Sequence, residues 1–300
     1  MGARSGHLWE QTDLAVAARD GFLLNLCNSG PIALHRQLTV IHDAAVYDRP
    51  LGFALRYRLL HDVLGRLIAR RASLATVSNW SRHRLAAIFG LSEAAIGLIS
   101  NAADHVDAIV PDRSVLASNG IVPGRFLLFV GSFAPNKNLP RALEAWARVR
   151  RPDEQFVLVG AAVRSFADHG IDSSSPGVVL PGRISDGQLV ALYRNARALI
   201  FPSLYEGFGI PPLEAMRFGL PVIAADIPPV REVCGDAASF HDPIDVGALA
   251  TLMRRVLDED GLHARLATAA LGRRDAYSWD ASADALMALI EGRLGAGCNE

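Results

Sequence analysis

Downstream of position 125 the chain alternates short apolar runs with stretches of helical spacing, and this alternation restricts the fold more than any other feature. Residues 126–130, 156–159, 178–180, 199–201 and 222–224 are rich in Val, Leu, Ile and Phe. Runs of that length without polar alternation suit strands buried on both faces, as in a parallel sheet. Helical stretches at 139–149, 161–169, 186–196 and 212–218 separate them. The pattern predicts a doubly wound α/β domain. Right-handed crossovers would then deliver the loops that follow the strands to one edge of the sheet, the edge where such folds bind ligands.

Upstream, 23–26, 38–41, 74–77 and 96–99 read as strands, and 53–69 and 80–89 as helices, in a second and less complete α/β unit. A complete unit of this kind opens with a strand, a glycine-containing loop and a helix, roughly 30 residues or more. Nothing before Leu23 supplies them, so the expectation is a first domain that lacks its start. Residues 112–124, with their Gly, Pro and small polar residues, read as a linker. The resulting division is 1–118 for the first domain, 119–278 for the second, and a final helix over 279–300 that crosses back to the first.

Composition narrows the class. Three hundred residues at 50% hydrophobic and 20% charged suit a globular chain with room for two domains. A net charge of −1 offers no general attraction to nucleic acid. No apolar run nears the roughly 18 residues of a membrane span, and the first residues lack the apolar core of a secretory signal. The expected location is therefore the cytoplasm. The expected helix at 53–71 carries Arg56, Arg58, Arg66, Arg70 and Arg71 among leucines, which suits either a solvated face or peripheral contact with the inner face of an anionic membrane. Cys27, Cys234 and Cys298 are far apart and in no metal spacing.

Positions 200–215 read IFPSLYEGFGIPPLEA. A strand empties into a loop carrying Glu206, and a helix begins near Pro211 and Pro212, where proline is tolerated because first-turn amides have no intrahelical partner. Gly207 and Gly209 clear side chains ahead of that N-terminus, so a phosphate could approach unpaired N–H groups and the positive end of the dipole. Glu206 in the loop and Glu214 in the first turn would hold hydroxyls on either side. A lone first-turn Glu often only complements the dipole, and a lone loop Glu is usually solvated; the ordered combination is harder to reach by accident. The loop at 131–138, GSFAPNKN, holds Lys137, the single lysine beside twenty-nine arginines. A compact ammonium and a planar guanidinium are not equivalent at a phosphate.

The run at 200–215 resembles the donor-sugar signature of retaining glycosyltransferases of family 4, in which two glutamates at this spacing face the donor sugar and the nucleotide ribose. The resemblance implies two Rossmann-like domains (a GT-B-like fold), the first incomplete. It implies that Glu206 touches the sugar, that Glu214 touches the ribose, and that backbone near Arg183 and Ile184 meets the nucleobase. Gly131, Ser132, Asn138, Gly207, Phe208, Gly209 and Ile210 complete the expected substrate contacts, and Lys137 with the loop amides would stabilise the departing diphosphate. VIHD at 40–43, TVSNWSR at 76–82 and SNAADH at 100–105 are similar to the family's amino-terminal half, which makes His42 a cleft residue close to the sugar. The resemblance spans about 6–292, is strongest over 126–242, and leans toward the branch that transfers mannose to bacterial surface polysaccharides.

Two departures accompany it. The family usually has an arginine after the glycine that ends the strand or beside the loop lysine, where this chain has Ser132 and Asn136. The other is the expected lack of the initial strand unit in the first domain, from either a late start of the chain or a stunted domain. The implied reaction moves a hexose from a nucleoside-diphosphate sugar to a hydroxyl of a glycan or lipid-linked glycan, with no cofactor and no metal. Asp258 and Asp260, the Asp-x-Asp pair, read as surface charge at a helix end. Two rivals share the sequence features: a non-catalytic nucleotide-sugar-binding remnant, and another enzyme of the fold, a phosphorylase or an epimerase.

Overall fold

The computed structural model describes residues 5–49, 54–160 and 175–296. The expected helix at 161–169 and Cys298 lie outside these residues, as does Phe53 at the start of the helix expected over 53–71. Contacts divide the chain into two compact units, residues 1–101 with 280–300, and residues 102–279.

The first unit holds a parallel sheet of β1 (Leu23–Asn25), β2 (Gln37–Val40), β3 (Ser73–Thr76) and β4 (Ile96–Leu98), in the order β1-β2-β3-β4. Leu38 pairs with Ser73, and Leu74 with Ile96. Helices α1 (Leu55–Arg71) and α2 (Asn79–Phe89) supply the crossovers. Ser78 caps α2 by accepting from the Ser81 amide, and Gly90 closes it in the left-handed region at φ 68°. Leu64, Ile68, Leu74, Leu85 and Ile96 form the core. The opening turns of α1 face outward, with Leu55, Tyr57, Leu59, Leu60 and Val63 exposed. Among the described residues no helix is long and apolar enough to cross a membrane.

The second unit is a six-stranded parallel sheet of β5 (Phe126–Val130), β6 (Gln155–Val159), β7 (Val178–Val179), β8 (Ala198–Phe201), β9 (Val222–Ala225) and β10 (Ala238–His241). Its order is β10-β9-β8-β5-β6-β7. Strand order reverses at β5, which has β6 on one side and β8 on the other, so the crevice of a doubly wound sheet opens between the loops after β5 and β8. Helices α3 (Leu139–Val149), α4 (Asp186–Asn195), α5 (Ile210–Arg217), α6 (Pro228–Cys234), α7 (Val246–Asp258) and α8 (Asp260–Arg273) cover it. Strands β5, β6 and β8 bury Leu127, Phe129, Phe156, Leu158 and Ile200 against Trp146 of α3 and Met253 of α7. The final helix, α9 (Trp279–Ala296), leaves the second unit at Trp279 and runs with the first from Asp280 on.

One expectation needs correcting. Residues 112–124 are not a linker but part of the second unit. Val115, Leu116 and Ile121 are buried, the Asp112 amide donates to the Gly187 carbonyl at 2.8 Å, and the Gly124 amide donates to that of Asn195 at 2.7 Å. The apolar residues scattered through the segment pack it onto α4, and the chain passes between units after Asn101 instead. Strand β10 is an addition to the five expected. Its ASFH sequence alternates small, polar and aromatic residues and carries a weak apolar signal.

Candidate active site

The β5 and β8 loops meet through four contacts made by three consecutive residues. The Leu204 amide donates to the Asn136 carbonyl at 2.7 Å. Asn136 Nδ2 donates to the Tyr205 carbonyl at 3.3 Å, and Asn138 Nδ2 to the Pro202 carbonyl at 2.9 Å. Between them Lys137 Nζ reaches Glu206 Oε1 at 2.6 Å, with side chains only 19% and 12% exposed. The ammonium also lies 5.8 Å from the centre of the Phe201 ring. The lysine and the loop glutamate, 69 positions apart, are thus one ion pair at the point where strand order reverses.

This geometry revises Asn136 and Asn138. Asn136 stands where the resemblance expects a second cation, and here it ties the two loops. Asn138 was expected to touch substrate. It is buried instead, with its second amide proton on the Pro243 carbonyl at 2.8 Å and its Oδ1 accepting from Arg141 Nη1 at 2.8 Å. Both protons are taken and the backbone sits at φ 57°, in the left-handed region that asparagine tolerates. Asn138 braces three loops.

Gly131 closes β5, and its amide donates to the Val159 carbonyl at 3.0 Å. Ser132 follows it, half-buried. Gly160 follows β6 as Gly131 follows β5, and a Cβ there would lie 1.9 Å from the Gly131 carbonyl oxygen. No larger residue fits. The signal for Gly160 was present, since it follows an apolar run as Gly131 does.

After Glu206 the chain passes through half-buried Gly207 to Phe208, whose ring is buried and edge-on to Tyr277 at 5.2 Å. Phe208 was expected to contact substrate; its ring serves the packing beneath the loop. Gly209 caps α5 at φ 138°, and exposed Ile210 is the first helical residue. Helix α5 starts two residues earlier than the prolines suggested. Pro211 and Pro212 therefore occupy the second and third positions and carry no N–H, leaving the Gly209 and Ile210 amides at the helix mouth. The earlier start also moves Glu214 from the first turn to the second.

Glu214 faces α4. The buried Tyr193 hydroxyl donates to its Oε2 at 2.7 Å. Burial raises the Glu214 carboxyl above the usual range; the Tyr193 bond and the charge of His105 oppose that, and Asp186 adds to it. Tyr193 was not foreseen, because a tyrosine inside an apolar helical stretch reads as core.

The loop after β7 carries Arg183, exposed, and Ile184, half-buried, two strands removed from β5. Ser185 beyond them caps α4 in a reciprocal pair with Gln188. In the first unit His42 lies just past the end of β2. Its amide donates to Asn28 Oδ1 at 2.7 Å. Its Nε2 lies 2.6 Å from the Leu26 carbonyl, which can only accept, so Nε2 is the donor of that bond. Asp258 and Asp260 bind arginines: Asp258 pairs with Arg151 and Arg254, and Asp260 with Arg197.

Known proteins resemble this chain in sequence and in fold. The chain is 26% identical over 261 residues to the O-antigen chain mannosyltransferase B of Escherichia coli, covering 83% of this chain and 68% of the relative. It is 29% identical over 294 residues to the MMP alpha-(1->4)-mannosyltransferase of Mycolicibacterium hassiacum, covering 93% of this chain and 68% of that one. In fold it resembles a glycosyltransferase from Rickettsia africae, with a TM-score of 0.73, 16% identity, and coverage of 98% of this chain and 83% of the other. The sequence model described as glycosyl transferases group 1 matches residues 117–273, more than half of the chain and the whole of the β5–β8 crevice, and the chain belongs to that family.

Proposed function

We propose that this glycosyltransferase moves a hexose, mannose by the names of its relatives, from a nucleoside-diphosphate sugar to a hydroxyl of a surface polysaccharide or lipid-linked glycan, with retention of configuration. The observation that carries the reading is the pairing of Lys137 with Glu206 where strand order reverses, in the loop that leads into the Gly209 cap and the start of α5 at Ile210.

In this scheme the donor's diphosphate takes Glu206's place as the partner of Lys137. Glu206 then turns to the sugar hydroxyls, and Glu214 accepts from the ribose. As the glycosidic bond breaks, negative charge grows on the diphosphate, where the ammonium, the Gly209 and Ile210 amides and the α5 dipole stabilise it. Arg183 and Ile184 would border the base. The charge stabilisation comes from protein groups, so the scheme needs no divalent metal.

The test incubates the protein with GDP-mannose or UDP-glucose, with and without a mannose-terminated acceptor, and follows nucleoside diphosphate release and the anomeric proton of the product by NMR. The expected result is release that depends on acceptor, survives EDTA and yields a retained anomer. Release independent of acceptor, an inverted product, or activity abolished by EDTA and restored by manganese would overturn the scheme.

A further inference from the structure

The Glu214 carboxylate is held from beneath by a group that nothing else in the proposed scheme uses. Tyr193 is 1% exposed, and its ring stacks on Phe218 with centroids 6.1 Å apart and planes 23° from parallel. The ring is therefore fixed by packing, and its one hydroxyl proton goes to Glu214 Oε2. A glutamate has three side-chain torsions, and a bond from an immobile phenol removes most of that freedom before any ligand arrives. Among the described residues no hydrogen bond engages Oε1, which can accept from a second donor. Two further charged or titratable groups act on the same carboxyl. They are Asp186 at the start of α4 and His105, whose Nδ1 accepts from the Trp279 indole N–H at 3.2 Å.

We propose that Tyr193 is a positioning residue, which locks Glu214 in the orientation that accepts from the vicinal ribose hydroxyls and so lets this site select ribonucleotides. The inference rests on the reading of Glu214 as the ribose ligand. A carboxylate that turned freely would bind a hydroxyl only after losing its own torsional freedom. Tyr193 settles that cost during folding. The phenol also favours the ionised carboxylate, the form with acceptors on both oxygens, against the burial that opposes it.

The experiment uses the full chain and calorimetric titration with UDP, GDP and their 2′,3′-dideoxy counterparts between pH 5 and 8. In Tyr193→Phe the ring and its packing remain and only the hydroxyl is lost. Affinity for the ribonucleotide should fall about tenfold, the scale of one hydrogen bond to a charged group. Affinity for the dideoxy form should be unchanged. The acid limb of ribonucleotide binding should move to higher pH in the variant, because loss of the phenol removes the larger of the two influences that oppose burial and the carboxyl protonates sooner. Titration of the ligand's own phosphate is common to both proteins and cancels in the comparison.

Glu214→Gln separates the two levels. If that variant still prefers the ribonucleotide, or if neither UDP nor GDP binds the native chain, the reading of Glu214 is wrong. If Glu214→Gln loses the preference while Tyr193→Phe keeps it with an unmoved acid limb, the role of Tyr193 is overturned. Equal loss for ribose and dideoxyribose forms in Tyr193→Phe would mark a purely structural residue and also overturn it. Should the phenylalanine variant not fold, 3-fluorotyrosine at 193 gives a graded probe. As a stronger donor it should move the acid limb to lower pH, and an unmoved limb would refute the proposal.

Discussion

Lys137 is placed so that its size matters as much as its charge. Its ammonium fits between Glu206 and the Phe201 ring. A guanidinium there would have to project a wider planar fork into the same space. Lys137→Arg should therefore lower kcat about tenfold while the positive charge is kept, and Lys137→Ala should lower it roughly a hundredfold, the scale of removing one preorganised donor. Glu206→Gln releases the lysine from its carboxylate. Nucleoside diphosphate affinity should not weaken in that variant, whereas turnover should fall, since the sugar loses a charged acceptor. Calorimetry with steady-state assays separates the two, and a parallel loss of affinity and turnover would contradict the exchange of partners at Lys137. These residues were legible as chemistry: a carboxylate and a cation in loops expected at one sheet edge. Their mutual bond was not, because nothing local says which loops become neighbours.

At the level of elements, the crevice depends on how closely the loops after β5, β6 and β8 pack. Asn138 holds the carbonyls of Pro202 and Pro243 with its two amide protons. Asn138→Ala leaves one buried and one half-buried carbonyl without these donors and keeps a left-handed backbone that alanine disfavours, so unfolding free energy should drop by about 3 kcal/mol. Urea denaturation measures this, and a change within error would show that the brace carries no stability. Gly160→Ala should be at least as damaging, since its Cβ meets the backbone oxygen of Gly131 rather than a side chain that could move. Element boundaries were partly legible. The run at 126–130 became β5 with the expected bounds, whereas α5 began two residues early because Pro211 and Pro212 sit comfortably inside a first turn. Segment 112–124 looked like a linker by composition, and three buried apolar residues outweighed its Gly and Pro content.

For the molecule as a whole, stability should respond to acid through a buried carboxylate remote from the crevice. Glu154 is 5% exposed at its side chain and receives both ends of the Arg254 guanidinium, at 2.6 and 2.8 Å, and the Arg151 amide at 2.9 Å. Burial alone would raise its carboxyl, but the bonds and charges of Arg254 and Arg151 more than offset burial and hold it below the usual range. A carboxyl lowered by folding adds stability that is present above its ordinary value of 4.5 and is lost as pH falls through the lower folded value. Glu154→Gln should cost about 2 kcal/mol near neutral pH, discounted for the partial exposure of Arg254. The gap between native and variant in chemical denaturation should close as the buffer is taken below pH 4, and a gap that persists there would rule out the pair as its source. The sequence by itself determined the fold class, the apolar runs that became β5, β6, β8 and β9, and the kinds of chemistry carried at 131–138 and 200–215. These are properties of composition and period along the chain, and burial enforces them wherever the strands end up. Tertiary structure alone decided that Lys137 meets Glu206, that Asn136 and Asn138 brace loops, and that Tyr193 lies under Glu214. Those contacts join residues from 21 to 105 positions apart. They exist only because β5 settled between β6 and β8, and the choice of strand neighbours is made by the packing of the whole core.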